Sequence, residues 1–268
     1  MYRSLIRQPY LRVGLLMALV ALALSACGGG ASGGGEHQQA KIRGCVPECL
    51  SGGADPGRIP PGSYTTQYFF DGHLTVTFRK AWVSHEDTPI VFWAKPEVKQ
   101  DGEGEVKFWE DIIPVEGKTI DVKHKVKGVP ITTAGWLHWL SNNPNLRVSD
   151  PRDATIGEHD LPAEVVDIGI SDIAVNDEPG FPPCRKETCQ GLLTWPNAGE
   201  NGFGIIDSEV VRLYLSDVKY GGKTHLFAIA IYASDPAALK AFAPAAEGVI
   251  GSVRAPVSPV RGRLRGNT

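Results

Sequence analysis

Five cysteines are the residues of widest chemical range in this 268-residue chain. Four fall in two close pairs: Cys45 and Cys49 in "CVPEC", Cys184 and Cys189 in "CRKETC". Thiols so arranged either close disulfides or ligate a metal. Zinc ligands usually come at shorter, more regular spacings, and an export signal, argued below, favours oxidation, so disulfides are expected and no metal site. Four cysteines allow three pairings. The two local ones, each closing a small loop in a Pro- and Gly-rich neighbourhood, are favoured over a cross-pairing that would staple the early segment to the later one.

Other motifs of catalysis are missing. There is no G-x-S-x-G elbow and no S-x-x-K with its partners. "HED" at His85 to Asp87 lacks a second histidine at the fourth position on and precedes a proline segment, so it is not a zinc-protease helix. Seven histidines are spread thinly, and lone ones such as His138 and His225 read as surface or capping residues. "GKTHLF" lacks the glycine spacing of a phosphate loop, and "GENGFG" lacks the strand-then-helix setting of a dinucleotide fingerprint. Both are turns. Glu110-Asp111 and the pair Asp150/Asp153 read as solvated strand ends. No catalytic residue and no cofactor are expected. One stretch could bind: residues 176–206 form a long segment with Phe181, Trp195 and Phe203 among prolines and glycines. Loops beyond about 12–15 residues are often functional, and aromatics on a stapled loop suit recognition. The simpler reading, which we favour, has these rings packing the loop onto the sheet.

The fifth cysteine stands apart. Arg3, Arg7 and Arg12 precede an apolar run from Val13 to Ala26, and no acid appears before Glu36. A basic start, a short apolar core and small residues before a break mark an export signal, and the run is too short for the roughly 20 residues that span a bilayer. The closing residues Leu24-Ser25-Ala26-Cys27 resemble the lipobox of bacterial lipoproteins. That resemblance implies cleavage before Cys27, a diacylglycerol thioether on its sulfur and an acylated amino terminus. Two or more chains anchor stably where one does not. The following "GGGASGGG" would serve as a flexible leash. The expected location is the outer face of the cytoplasmic membrane, with the bilayer as a partner through the anchor.

Loss of residues 1–26 removes three arginines and no acids, leaving 24 basic and 30 acidic residues, a formal charge of −6. Such a surface argues against nucleic acid or anionic headgroups as the main partner, since both favour basic patches. Both methionines lie in the signal, which excludes a Met-lined promiscuous surface. Residues 27–61 read as the lipidated cysteine and a Gly/Pro-rich linker, residues 62–254 as one domain, and residues 255–268 as a disordered basic tail.

The elements of that domain follow from periodicity. Leu74, Val76 and Phe78 alternate with Thr75, Thr77 and Arg79, a strand with one wet face. "PIVFWA" and "VKFWEDIIPV" are strands rich in aromatic and β-branched residues; "TIDVKHKVKGVP" alternates weakly. In "TTAGWLHWLSNNP", Trp136, Leu137 and Leu140 lie on one helical face, Thr132 or Thr133 caps the start and Asn142-Asn143-Pro144 ends it. "LRVSDPRDATIG" and "LPAEVVDIGIS" are strands, followed by an irregular stretch. "VVRLYLSDVKY" and "THLFAIAIYAS" flank Gly221-Gly222, a hairpin signal. "LFAIAIYA" is apolar throughout and needs cover on both faces. A helix opens at Asp235-Pro236, and Pro244 should kink or split it.

The expected fold is therefore α+β, an antiparallel-rich sheet flanked by helices on both faces. The order of elements, with "GSYTTQYF…LTVTF…AW", "AGWLHWLSNNPNLRVSDPRDATIGEHDLPAEVVDI" and "RLYLSDVKYGGKTHLFAIAIYASDPAALKAFAPAAEGVIGSV", resembles the PsbP-like α/β/α sandwich of secreted bacterial lipoproteins. This resemblance, over residues 62–254, implies a non-catalytic accessory or binding module whose partner is an envelope protein or a small ligand. Two other functions fit the same sequence: a carrier of an apolar ligand between sheet and helix, and an envelope hydrolase with an unrecognised site.

Overall fold

The longest strand pair turns on two glycines. Gly221 and Gly222 take φ of 55° and 79°, left-handed values that a two-residue hairpin turn requires and that a Cβ opposes. On either side, Val210–Tyr220 and Lys223–Ala233 pair antiparallel without a slip, from Val210 opposite Ala233 to Tyr220 opposite Lys223.

This computed structural model describes residues 43–44, 57–66, 69–87, 91–97, 104–117, 122–171, 189–196, 198, 202–206, 208–255 and 258–259. Cys27, Cys45, Cys49, Phe181 and Cys184 lie outside the described residues. In chain order the first strands are β1 (Arg43–Gly44), β2 (Gly57–Ile59), β3 (Gly62–Thr65), β4 (Thr75–Phe78), β5 (Trp82–Asp87), β6 (Val91–Pro96), β7 (Gly104–Glu110) and β8 (Ile113–Pro114). Helix α1 (Thr133–Asn142) precedes β9 (Leu146–Val148), β10 (Arg152–Ile156), β11 (Leu161–Ile170), β12 (Cys189–Thr194) and β13 (Phe203–Ile206). The chain continues through β14 (Val210–Tyr220), β15 (Lys223–Ala233), α2 (Pro236–Ile250) and β16 (Ser258–Pro259).

The main sheet runs β10-β11-β14-β15-β7-β6-β5-β2, with β9 paired to β11 and β16 to β14. Its pairings are antiparallel. Two smaller sheets, β1-β3-β4 and β8-β12-β13, accompany it. The α+β, antiparallel character expected from the sequence is present.

Side chains alternate along a strand, and β15 sorts its apolar run accordingly. Phe227, Ile229 and Ile231 join a first core cluster with Leu239, Phe242 and Ala246 of α2. Leu226, Ala228 and Ala230 join a second with Trp136 and Leu140 of α1. On β11, Ala163 and Val165 belong to the first cluster, Val166 and Ile168 to the second.

Both helices start on polar caps. Thr132 accepts from Gly135 N–H at 3.1 Å, and Asp217 of β14 accepts from Thr133 N–H at 2.9 Å. Asp235 accepts from Ala237 and Ala238 N–H at 2.8 Å each, and those backbone donors lower its carboxyl pKa. At the far end of α2, Gly157 N–H and Glu158 N–H donate to the carbonyls of Ile250 and Val253, both at 3.0 Å. The turn after β10 thus caps the carbonyl of Ile250, the last residue of α2, and the Val253 carbonyl just beyond it. Gly157 has φ of 76°, and a Cβ there would run into the Val253 carbonyl, so only glycine fits.

Five expectations need correction. Pro244 neither splits nor ends α2, which runs from Pro236 to Ile250. Pro244 lies on the exposed side of the helix, where water can take up the carbonyl that its missing N–H leaves free. The weakly alternating "TIDVKHKVKGVP" yields a single 3-10 turn at Val122–His124 among its described residues, not a strand. Residues 176–206 contain β12 and β13. All six residues of β12 are buried, so no period-2 pattern announces it. Finally, β2 lies inside the segment read as linker and pairs with β5, burying Ile59 in the first cluster. Likewise β16, in the stretch read as a tail, pairs with Val218 and Lys219.

Candidate functional site

Strand parity places polar groups where the apolar pattern would otherwise put core. Asp167 and Gly169 share the β11 face of Ala163 and Val165; Arg212 shares the β14 face of Val210 and Tyr214. Asp167 and Arg212 stand directly opposite in the ladder. Arg212 Nε donates to Asp167 Oδ1 at 2.7 Å and Nη2 to Oδ2 at 3.1 Å, a fork-on-fork pair. Its third group, Nη1, donates to Glu247 Oε1 on α2 at 2.9 Å, and the Tyr214 hydroxyl donates to the same oxygen at 3.2 Å. Arg152 of β10 adds a contact to Asp167 Oδ2 at 3.3 Å. One guanidinium, 19 % exposed, therefore ties two strands to the helix.

The electrostatics match that geometry. Hydrogen bonding to Asp167, opposed by partial burial, raises the Arg212 pKa, so its charge is permanent. Burial, reinforced by the Glu247 charge, pushes the Tyr214 phenol up to about 12. A tyrosine whose folded pKa lies above its unfolded value of about 10 adds stability that is fully present below pH 10. That stability drains away as pH rises through 12. The rise corresponds to about 2–3 kcal/mol at most. Urea titrations between pH 8 and 12 should show this decline, and Tyr214→Phe should flatten it; an unchanged slope in the variant would refute the assignment.

Beside this junction lies a cleft of about 590 Å³ between α2 and the strands β9, β11 and β14. Val210, Leu239 and Ala243 supply apolar wall; Arg147, Lys240, Asp167 and Glu247 supply charge. Gly169 is the gap in the wall: a Cβ there would sit 3.1 Å from Arg147 Nη2 and 3.8 Å from Val210 Cγ1. Ser149 also lines the cleft. Its Oγ accepts from Asp167 N–H at 2.9 Å and donates to the Asp150 carbonyl at 3.3 Å, which makes it a brace for β11. Among the described residues, Arg147 and Lys240 carry no ion pair.

The residues expected from sequence fall elsewhere. Trp195 and Phe203 are partly buried against the second cluster. Phe203 meets Trp109 at 5.6 Å and Tyr232 at 5.4 Å between ring centroids. The Lys107 ammonium sits 4.5 Å from the Phe203 ring and 4.2 Å from Trp93, and 3.1 Å from Glu105, so the box of rings already holds the chain's own cation. Cys189 is buried and disulfide-bonded, with its partner outside the described residues.

Glu110 and Asp111 are not merely solvated. His225 Nδ1 lies 2.7 Å from Glu110 Oε1 and 2.9 Å from Asp111 Oδ2. Asp111 Oδ1 accepts from Leu226 N–H at 2.9 Å, with Asp111 at φ of 52°. These three side chains could together ligate a divalent cation; their mutual contacts equally make a hydrogen-bonded strand end. His138 is an exposed helix residue bonded to Asn142.

None of the cleft's charged residues stood out in the sequence. The available signal was a charge inside an apolar strand run, Asp167 in "VVDIGI" and Arg212 in "VVRLYL". No protein-family model matches the chain, and no curated protein matches it. Among the described residues, no helix is long and apolar enough to cross a membrane.

Proposed function

We propose that this chain is a lipid-anchored lipoprotein of the cell envelope whose folded part is a non-catalytic binding module, with the cleft beside Arg212 and Asp167 as its recognition site. The observation that carries this reading is the cleft itself. Its volume of about 590 Å³ lies in the range of small-ligand sites, roughly 300–1,000 Å³. Its walls are braced by a three-element ion-pair junction, and pre-organisation of that kind favours binding. Ser149, the hydroxyl in the cleft, is committed to backbone partners, which supports recognition over hydrolysis.

The fold is read as a PsbP-like α/β/α sandwich. Support comes from the separation of the α1 and α2 contacts into two core clusters that share alternate residues of β15. The location rests on the lipobox-like "LSAC" and its cysteine, Cys27. Lipidation there would hold the module at the outer face of the cytoplasmic membrane.

Native mass spectrometry of the full chain extracted from its membranes tests both parts. The expected species starts at Cys27, carries the mass of its acyl chains and retains a small-molecule adduct. Cys27→Ala should lose the lipid mass, and Gly169→Leu, which fills the cleft, should lose the adduct alone. A wild-type product without lipid would refute the anchor. An adduct that survives Gly169→Leu would refute the cleft.

A further inference from the structure

We infer that the ligand of this cleft is a small amphipathic anion, an apolar body carrying one carboxylate or phosphate, held by Arg147 and Lys240 from opposite walls. The inference rests on the reading of the cleft as a binding site and adds the chemistry of what enters it. The charge balance of the lining points this way. Asp167 and Glu247 are the acids, and both are engaged by Arg212, with Arg152 and the Tyr214 hydroxyl as further donors. Both Asp167 oxygens and Glu247 Oε1 accept bonds from within the protein. The cations are in surplus: Arg147 on β9 and Lys240 on α2 line the cleft, both are exposed, and neither is ion-paired among the described residues.

The two surplus cations complement each other chemically. A guanidinium offers a planar fork that fits a carboxylate or phosphate edge, and an ammonium adds a mobile point charge. Gly169 matters for the first. With no side chain there, the Arg147 guanidinium lies over the β11 backbone at Gly169, in the space a Cβ would take, at the edge of the cleft. Between the cations the wall is apolar, formed by Val210, Leu239 and Ala243. Such a surface gains from covering a hydrocarbon body and, by excluding water, strengthens the charge-assisted bonds at its edge. A bare inorganic anion would use only the rim, and a neutral hydrocarbon only the wall.

The test uses the full chain in solution with three probes of one tail and different heads, below their micelle concentrations: octyl phosphate, octyl glucoside and octyltrimethylammonium. Titration calorimetry should show octyl phosphate binding about tenfold or more tighter than the others, and more tightly than inorganic phosphate. The double variant R147Q/K240Q should lose about tenfold for octyl phosphate and keep its affinity for octyl glucoside. Both side chains are exposed, so its thermal midpoint should match that of the wild type. Equal binding of all three probes, unchanged in R147Q/K240Q, would overturn the anion assignment and leave the cleft as a site. Binding of none would overturn the cleft reading and this inference together. With Cys27→Ala in both chains, so that no acyl anchor contributes, phosphatidylglycerol vesicles distinguish the sources of such an anion: co-sedimentation lost in R147Q/K240Q identifies a lipid headgroup. Octyl phosphate binding without co-sedimentation identifies a free acid.

Discussion

Replacing Trp136 with alanine should lower the unfolding free energy by about 3–5 kcal/mol. Trp136 is fully buried in α1, edge-on to Trp139 at 5.3 Å, within the cluster that includes Leu140, Leu213 and Ala228. Its indole Nε1 donates to the Ile112 carbonyl at 3.0 Å. Alanine removes the ring and strands that carbonyl in a dry core, so a cavity and an unmade hydrogen bond act together. Phenylalanine keeps most of the packing and strands only the carbonyl, so Trp136→Phe should cost about 1–3 kcal/mol. Urea denaturation followed by circular dichroism measures both. A loss under about 1 kcal/mol for the alanine variant would mean that α1 is not seated as described.

Phe242→Ala should cost a similar 3–5 kcal/mol or so, and it has a partner that makes the effect diagnostic. Phe242 of α2 is fully buried, with its ring 6.0 Å from Trp82. Gly104, the first residue of β7, lies against that ring: a Cβ at Gly104 would collide with Phe242. The ring is walled in by core and cannot swing away. Gly104→Ala should therefore cost about 1–3 kcal/mol by overpacking. In the Phe242→Ala background the space is empty, and Gly104→Ala should become neutral or mildly stabilising. A double-mutant cycle reads this coupling directly. Additive losses would refute the contact. Because Leu239, Lys240 and Ala243 of α2 line the cleft, loosening the seat of Phe242 should also weaken ligand binding.

Local features of the chain reach a long way into this molecule. The Gly221-Gly222 turn is written in the residues because φ above zero at two adjacent positions selects glycine. The start of α2 is written in Asp235-Pro236 because capping needs an acceptor and a residue that can forgo its N–H. The fully apolar "LFAIAIYA" demanded cover on both faces, and the two clusters on alternate residues of β15 provide it. Each of these depends on neighbours within a few positions. Pro244 went the other way on one point: the local rule allowed a kink or a split, and the helix is not split, since it runs on through Pro244 to Ile250.

The cleft belongs to tertiary structure alone. Asp167, Arg212 and Glu247 come from three elements, and the contacts between them span 45 and 35 positions of chain. In the sequence they are ordinary charges; only strand register and helix seating turn them into a braced junction. The gap at Gly169 likewise has meaning only once β9 and α2 stand beside it. The buried "CQGLLT" strand was illegible for a related reason, since a segment covered on every side shows no alternation to read. By itself the sequence determined where the long hairpin turns, where the two helices begin, and that the fully apolar strand must be covered. Which charges are paired and which are left without an ion pair among the described residues was decided by packing, because charge balance depends on distances that the order of residues does not contain.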